Sequence, residues 1–347
     1  SCRKGKINKM KIKSYKVKSI AEFYYRAYDD MMNANEVGPR GLKTKEIIAP
    51  DVVISVGGNY IFNGEMKGFL STLNFVHIQL GEDGKVCDPF KKLNYIFEMQ
   101  EKTFFKKMCN YSNESHVEYY RSWKVIEDSF LEPNVDYSEL SVIKSFIYSL
   151  PYDVDLQLAN SCTIRMAHML RESKTMRVNC NRGVNGIDGC VSTAIGFGSE
   201  NERPTFLVIG DLSFFYDMNA LGIRHLSPKI RILLINNGGG AIMYGPLDEE
   251  KRKTLSKHVA AAHSISAKAW VESVGFKYFG AYNQNEADEY IKILTDMNEE
   301  GPILLEVFTD INADINIMQK YLSSIDERSF IEKVINKLDS IKNKYIS

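Results

Sequence analysis

Two segments decide the fold, Thr205-Phe-Leu-Val-Ile-Gly-Asp-Leu-Ser213 and Ile230-Arg-Ile-Leu-Leu-Ile-Asn-Asn-Gly-Gly-Gly240. Each is a run of mostly branched apolar residues, typical of a strand buried in a parallel sheet, that stops at a polar residue. Asp211 follows the first run, and Asn236 and Asn237 follow the second. The residues between the two runs suffice for one helix that connects parallel strands. We therefore expect both strand ends at the same edge of one sheet.

The residues at these strand ends are suited to holding a divalent metal and a phosphate group. Asp211 offers a carboxylate and Asn237 an amide oxygen, the hard ligands that Mg²⁺ or Mn²⁺ prefers. The glycine run can add a backbone carbonyl and lets the chain approach a diphosphate closely. Either segment alone is also typical of an ordinary turn. The pair at this spacing is more specific and favours a metal site.

Strands and helices alternate around these segments, which predicts an α/β protein built from doubly wound parallel sheets. In the first part of the chain we expect strands within residues 51–58 and 75–80 and a helix over 95–108, and near the end a last helix over 329–341. The predicted divisions are a basic arm or truncation scar (1–20), a central domain (21–135) and a larger domain (136–347).

Composition indicates a reduced protein without a membrane span. The 44 Lys and Arg residues balance 44 Asp and Glu, and a net charge of zero speaks against nucleic-acid binding. No apolar run reaches the roughly 18 residues of a membrane-spanning helix. The six cysteines include no C-x-x-C pair and are too few for a disulfide framework, which predicts a cytoplasmic protein. The histidines lack metal-ligand spacing and are interpreted as structural or solvated.

Several motifs together carry a resemblance to a known family. The Gly-Asp pair at 210–211, followed by Asn-Asn at 236–237, resembles the fingerprint of thiamine diphosphate enzymes. Within that superfamily the chain resembles the 2-succinyl-5-enolpyruvyl-6-hydroxy-3-cyclohexene-1-carboxylate synthase (MenD) family of menaquinone biosynthesis. The motifs that carry this closer resemblance are Gly210-Asp-Leu-Ser213, Asn181-Arg-Gly-Val-Asn-Gly-Ile-Asp-Gly189 and Asn160-Ser-x-x-x-Arg165.

The resemblance implies two domains, a reaction and a set of site residues. Residues 21–135 would be the family's central, transhydrogenase-like domain, and residues 136–347 the domain that binds the diphosphate of thiamine diphosphate. The enzyme would be a transferase that decarboxylates 2-oxoglutarate and adds the succinyl carbanion to isochorismate. The implied ligands of Mg²⁺ or Mn²⁺ are Asp211, Asn237 and the carbonyl of Gly239.

The remaining implied site residues surround those ligands. The implied cofactor-binding residues are Ile187, Gly210, Asp211, Leu212, Ser213, Asn237, Gly239, Gly240 and Ala241. Among them, Ile187 would be the apolar wedge that bends the cofactor. The implied substrate-binding residues are Ser161, Arg165 and Arg182, and arginine suits substrates rich in carboxylates.

Two features leave alternatives open. The family usually has an aromatic residue where Met243 stands, which leaves room for another thiamine diphosphate-dependent 2-oxoacid decarboxylase or carboligase. The family's catalytic glutamate belongs to an N-terminal pyrimidine-binding domain, and the residues before Ala49 are too few for one. We therefore assign no catalytic residue here and expect this chain alone to be inactive. It would be a fragment of a homo-oligomeric enzyme, a chain completed by a pyrimidine-domain chain, or a non-catalytic half-enzyme subunit.

Overall fold

The computed structural model describes residues 49–56, 68, 70–109, 119–120, 132–170, 176–181, 186–244, 249–255 and 257–325. The chain divides into two compact units, of which the second spans Glu132–Ser324. The arm predicted over 1–20 and the helix predicted over 329–341 lie outside the described residues. Within the described residues, no helix has both the length and the apolar character needed to cross a membrane.

The described part of the first unit includes a three-stranded parallel sheet and a helix beside it. The elements are β1 (Val52–Val56), β2 (Val76–Gly81), β3 (Leu93–Glu98) and α1 (Glu101–Cys109). The strand order is β1-β2-β3. Phe104 of α1 packs on Ile78 and Leu80 of β2 and so closes a small core.

Strand β3 shows that the prediction of one helix over residues 95–108 is wrong in its first part. Tyr95, Ile96 and Phe97 pair with residues of β2 as a parallel neighbour. Aromatic and β-branched side chains favour such a pleated surface when a partner strand is available. The helix begins only at Glu101.

The second unit contains a larger parallel sheet with helices on both faces. Its strands are β4 (Asp155–Leu158), β5 (Arg177–Cys180), β6 (Thr205–Gly210), β7 (Ile230–Asn236), β8 (Lys277–Ala281) and β9 (Ile303–Phe308). Its helices are α2 (Glu139–Ser149), α3 (Cys162–Ala167), α4 (Cys190–Ser199), α5 (Asp211–Asp217), α6 (Glu249–Leu255), α7 (Lys268–Ser273), α8 (Gln284–Thr295) and α9 (Ile311–Ile325). Two 3₁₀ turns, Met218–Gly222 and Ala241–Tyr244, complete it.

The six strands run parallel in the order β5-β4-β6-β7-β9-β8. Side chains of β6 alternate between two cores, because successive residues of a strand point to opposite faces. Phe206 and Val208 lie in the core under α2 and α8, whereas Leu207 and Ile209 lie in the core with α4, α5 and α7. The α/β fold class with parallel sheets is therefore confirmed.

Candidate functional site

The ends of β6 and β7 lie side by side at one edge of the sheet. The two strands pair in parallel from Thr205 with Ile230 to Gly210 with Ile235. The chain then leaves β6 into Asp211 and leaves β7 into Asn237 and the glycine run. The spacing of the two segments predicts this adjacency, and the strand pairing confirms it.

Asp211 joins the two strand ends by hydrogen bonds. It is the first residue of α5 and is only 3% exposed. Its Oδ2 accepts hydrogen bonds from Gly238 N at 2.8 Å and Gly239 N at 3.0 Å, and its Oδ1 accepts one from Leu212 N at 2.6 Å. The loop after β7 is thus held against the carboxylate by its own backbone.

The environment of Asp211 shifts its ionisation. Burial raises the pKa of the carboxyl above its ordinary value, while His263 and the backbone N–H donors act in the opposite direction. The imidazole of His263 flanks the same carboxylate. The side chain therefore sits in a low-dielectric setting in which a cation interacts strongly with it.

The glycine run after β7 is shaped by close backbone approaches. Gly238 and Gly239 have φ angles of +80° and +157°, and a Cβ on Gly239 would lie 2.8 Å from the carbonyl oxygen of Ala260. Gly240 N donates to that same carbonyl at 2.7 Å. Side chains at these positions would displace the backbone, so the run lets the chain fold tightly beside Asp211.

A second cluster links the end of β4 to the segment before α4. Asn160 Nδ2 donates to Gly186 O at 2.9 Å, and Ser213 Oγ donates to Ile187 O at 2.5 Å. Ser161, which follows β4, has a φ of +77°, an uncommon conformation for a residue with a side chain. The ends of β4 and β6 and residues 186–187 therefore meet at the same edge of the sheet.

The structure brings most of the predicted site residues to this edge. Leu212 lies against Gly240, and Ala241 begins a half-buried 3₁₀ turn. Ile187 is half-buried, and Arg165 is exposed in the last turn of α3. Arg182 lies outside the described residues. The hydroxyl of Ser213 donates its hydrogen to Ile187 O. Toward any other group, the Ser213 oxygen can therefore act only as an acceptor.

The oxygen atoms at the two strand ends are suitable ligands for a small hard cation. A carboxylate has more acceptor positions than the three N–H groups on Asp211 occupy. Asn237 Nδ2 donates to Asp314, and no described donor bonds its Oδ1. Among the described residues no group of three or more His, Cys, Asp or Glu side chains could hold a metal. A site here would rely on one carboxylate, one amide and one carbonyl, as the sequence predicts, with water and phosphate completing the coordination.

Sequence reasoning missed two further carboxyls near this edge. Glu139, the first residue of α2, and Asp314, in the first turn of α9, are both almost fully buried. Burial raises the pKa of both carboxyls, and the nearby Asp314 raises that of Glu139 further. The strand-end rule applied to β9, which lies beside β7 in the sheet, points first to Asp310, and only the structure places Asp314 at this edge.

Comparison with curated proteins identifies the family. The chain is 36% identical over 282 residues to 2-succinyl-5-enolpyruvyl-6-hydroxy-3-cyclohexene-1-carboxylate synthase of Bacteroides thetaiotaomicron, which is 81% of this chain and 51% of that protein. It is 38% identical over 279 residues to the synthase of Bacteroides fragilis, which is 80% of this chain and 50% of that protein. The chain belongs to this synthase family.

The same relationship extends to more distant members of the synthase family. The Flavobacterium johnsoniae synthase is 30% identical over 285 residues, which is 80% of this chain and 51% of that protein. This chain therefore spans about half the length of the curated synthases it matches. No family model matches the chain.

Proposed function

We propose that this chain forms the metal and diphosphate half-site of a thiamine diphosphate-dependent synthase that decarboxylates 2-oxoglutarate and adds the resulting four-carbon unit to isochorismate. One observation carries the proposal. In a chain of the synthase family, Asp211 at the end of β6 accepts hydrogen bonds from Gly238 and Gly239 at the end of β7. That contact gathers the three proposed metal ligands at one edge of the sheet.

The proposed metal is Mg²⁺ or Mn²⁺, held by Asp211, by Asn237 through its amide oxygen and by Gly239 through its carbonyl. These oxygen ligands suit a hard divalent ion that keeps the rest of its coordination for phosphate and water. The low exposure of Asp211 strengthens its attraction for a cation, since the buried carboxylate is screened by little water.

The surrounding residues would bind the rest of the cofactor and the substrate. Residues 210–213 and 239–241 would contact the diphosphate, and half-buried Ile187 would support the thiazolium ring. Thiamine diphosphate, when bound, supplies the nucleophilic carbon and the electron sink of the decarboxylation. Ser161, Arg165 and Arg182 would orient the substrate carboxylates, because a guanidinium can bind a carboxylate through two parallel hydrogen bonds.

We assign no catalytic glutamate to this chain. The proposed complete site also includes a pyrimidine-binding domain, carried either by the longer chain of a homo-oligomeric enzyme or by a separate chain. Met243 stands where the family usually has an aromatic ring, and it is 54% exposed beside the site. A different 2-oxoacid carboligase is therefore a second candidate. Measuring product formation from 2-oxoglutarate with isochorismate and with simple aldehydes, in the completed enzyme, separates the two candidates.

Thermal unfolding with and without ligands tests the half-site directly. A ligand that binds only the folded state raises its stability, so Mg²⁺ with thiamine diphosphate should raise Tm by about 5–10 °C at about 100 times Kd. Thiamine without phosphates should give no metal-dependent increase. Asp211→Ala should abolish the increase, whereas Asp217→Ala, at the other end of α5, should keep it. A folded wild-type chain whose Tm does not respond would overturn the proposal.

A further inference from the structure

Asp314 connects three segments that meet behind the proposed metal site. It lies in the first turn of α9 and is 4% exposed. Its Oδ1 accepts a hydrogen bond from Glu139 N at 2.8 Å, and its Oδ2 accepts one from Thr309 Oγ1 at 2.7 Å. The same Oδ2 accepts a third from Asn237 Nδ2 at 3.2 Å. The carboxylate therefore ties the start of α2, the end of β9 and the end of β7 together.

The contact with Asp314 decides how the amide of Asn237 is oriented. A side-chain amide has a donor nitrogen and an acceptor oxygen on opposite sides, and an ionised carboxylate can only accept. The nitrogen of Asn237 must therefore face Asp314, and Oδ1 is turned away from it. Among the described residues no donor bonds that oxygen, so none of them competes with a ligand for it.

We propose that Asp314 is a positioning residue, which fixes the amide of Asn237 so that its oxygen, and not its NH₂ group, faces the divalent metal. The inference rests on the proposed function and extends it to a residue outside the metal's own ligands. An amide flip would present two N–H groups to a cation and remove one ligand. Hydrogen-bond partners behind metal ligands commonly set both ligand orientation and metal affinity in this way.

The variant Asp314→Asn reverses the hydrogen-bonding demand on Asn237. The NH₂ group of the new asparagine at position 314 can face Asn237. Asn237 then accepts a hydrogen bond from it by turning Oδ1 toward position 314, and its own NH₂ group turns toward the metal. The probe is Mn²⁺ in the presence of thiamine diphosphate, with free Mn²⁺ measured by electron paramagnetic resonance. We expect Mn²⁺ affinity to fall at least about tenfold.

The matched control is Asp310→Asn, the same chemical change four residues earlier. Asp310 is exposed and its Oδ1 accepts a hydrogen bond from Ala313 N at 2.8 Å, a role that asparagine can also fill. Among the described residues, Asn237 bonds Asp314 and not Asp310. We expect the Mn²⁺ affinity of Asp310→Asn to stay within about twofold of wild type, because this change leaves the hydrogen bond between Asn237 and Asp314 in place.

The exchanged pair Asn237→Asp with Asp314→Asn separates orientation from simple loss of structure. The new amide at position 314 would donate to one oxygen of the new carboxylate at position 237 and leave the other oxygen for the metal, while Thr309 could turn its hydroxyl to accept. We expect the exchanged pair to recover most of the Mn²⁺ affinity lost in Asp314→Asn. If Asp314→Asn alone does not fold, the exchanged pair should still fold and bind Mn²⁺.

The outcomes distinguish this inference from the proposed function. If wild type binds Mn²⁺, Asp211→Ala does not, and Asp314→Asn binds like wild type, the inference is overturned and the metal site stands. The inference is also overturned if the folded, exchanged pair fails to recover affinity, because Asp314 would then act through stability alone. If wild type binds no more Mn²⁺ than Asp211→Ala, the proposed function and the inference both fail.

Discussion

The Nε2 atom of His263 lies 3.4 Å from Oδ2 of Asp211, and both side chains are almost fully buried. The other ring nitrogen, Nδ1, accepts a hydrogen bond from Ile265 N at 3.1 Å. The hydrogen of a neutral ring therefore lies on Nε2 and faces the carboxylate. The backbone N–H of His263 also donates to Gly238 O at 2.9 Å. The imidazole of His263 thus lies against the proposed metal-binding carboxylate, and its backbone is bonded to the loop beside it.

Replacing His263 by alanine should weaken metal binding at Asp211. The carboxylate would lose the imidazole that lies against it, and we expect a fall in Mn²⁺ affinity of about tenfold. A titration of free Mn²⁺ in the presence of thiamine diphosphate measures the change. His258→Ala, which alters an exposed histidine nearby in the chain, should leave the affinity unchanged. Equal affinities in the two variants would show that His263 does not support the site.

The fold around the site could be predicted because each strand and its end are marked by neighbouring residues in the sequence, an apolar run followed by polar residues. The runs at 205–210 and 230–235 are mostly apolar and almost entirely buried, and the structure has strands β6 and β7 over those residues. The sequence pattern does not predict strand β8. Among the described residues it lies at the edge of the sheet beside β9. A half-buried edge strand needs no continuous apolar run, and Lys277-Tyr-Phe-Gly-Ala281 has none.

The partners of the site residues could not be predicted from local sequence. His263 and Asp314 reach Asp211 and Asn237 only because several helices and strands fold between them. The spacing of the histidines indicates no metal set, and the structure places His263 beside a carboxylate instead. Contacts between residues so far apart depend on the whole sheet order, which a local pattern does not contain.

Replacing Gly239 by alanine should destabilise the loop after β7. The added Cβ would lie 2.8 Å from the backbone oxygen of Ala260, and backbone cannot move aside as a flexible side chain can. We expect the free energy of unfolding to fall by about 1–3 kcal/mol. Urea unfolding followed by circular dichroism measures it.

The control for Gly239 is a glycine with open space around it. Gly196 lies on the exposed side of α4, and no atom is within 4 Å of the Cβ that Gly196→Ala would add. This variant should be more stable than wild type by about 0.5–1 kcal/mol, because alanine favours a helix. Destabilisation of equal size in both variants would contradict the steric explanation.

Glu306 should tolerate loss of its charge poorly. It is completely buried in β9, and its carboxylate accepts hydrogen bonds from Asn236 Nδ2 and Ser266 Oγ, each at 2.7 Å, and from Tyr278 OH at 2.8 Å. Ala267 N also donates to it at 3.1 Å. Glu306→Gln would place an NH₂ donor next to these donors. We expect the free energy of unfolding, measured with urea, to fall by at least about 2 kcal/mol.

Tyr278→Phe is the graded control for Glu306. It removes one donor and leaves the carboxylate with its other partners, so we expect the free energy of unfolding to fall by about 1 kcal/mol. If Glu306→Gln costs no more than Tyr278→Phe, the carboxylate is not the centre of this network.

His77 in β2 is a completely buried, ionisable side chain of the first unit. Its Nε2 lies 2.9 Å from Ser55 Oγ and its Nδ1 lies 3.6 Å from Asp88 Oδ1, with the rings of Phe75 and Phe90 packed beside it. Burial lowers the pKa of His77 below its ordinary value of 6.5, although the nearby Asp88 acts in the opposite direction. The folded unit therefore keeps this ring neutral.

The stability of the first unit should fall as the pH drops below the ordinary histidine pKa. Below about 6.5 the unfolded chain binds a proton at His77 that the folded unit does not, so unfolding becomes easier until the lower, folded pKa is reached. Hydrogen exchange of the β2 amides, corrected for intrinsic rates, measures this as lost protection between about pH 7 and pH 5.5. His77→Gln should make that loss shallower, whereas exposed His258→Gln should leave it unchanged. An identical pH dependence in wild type and His77→Gln would show that another group titrates.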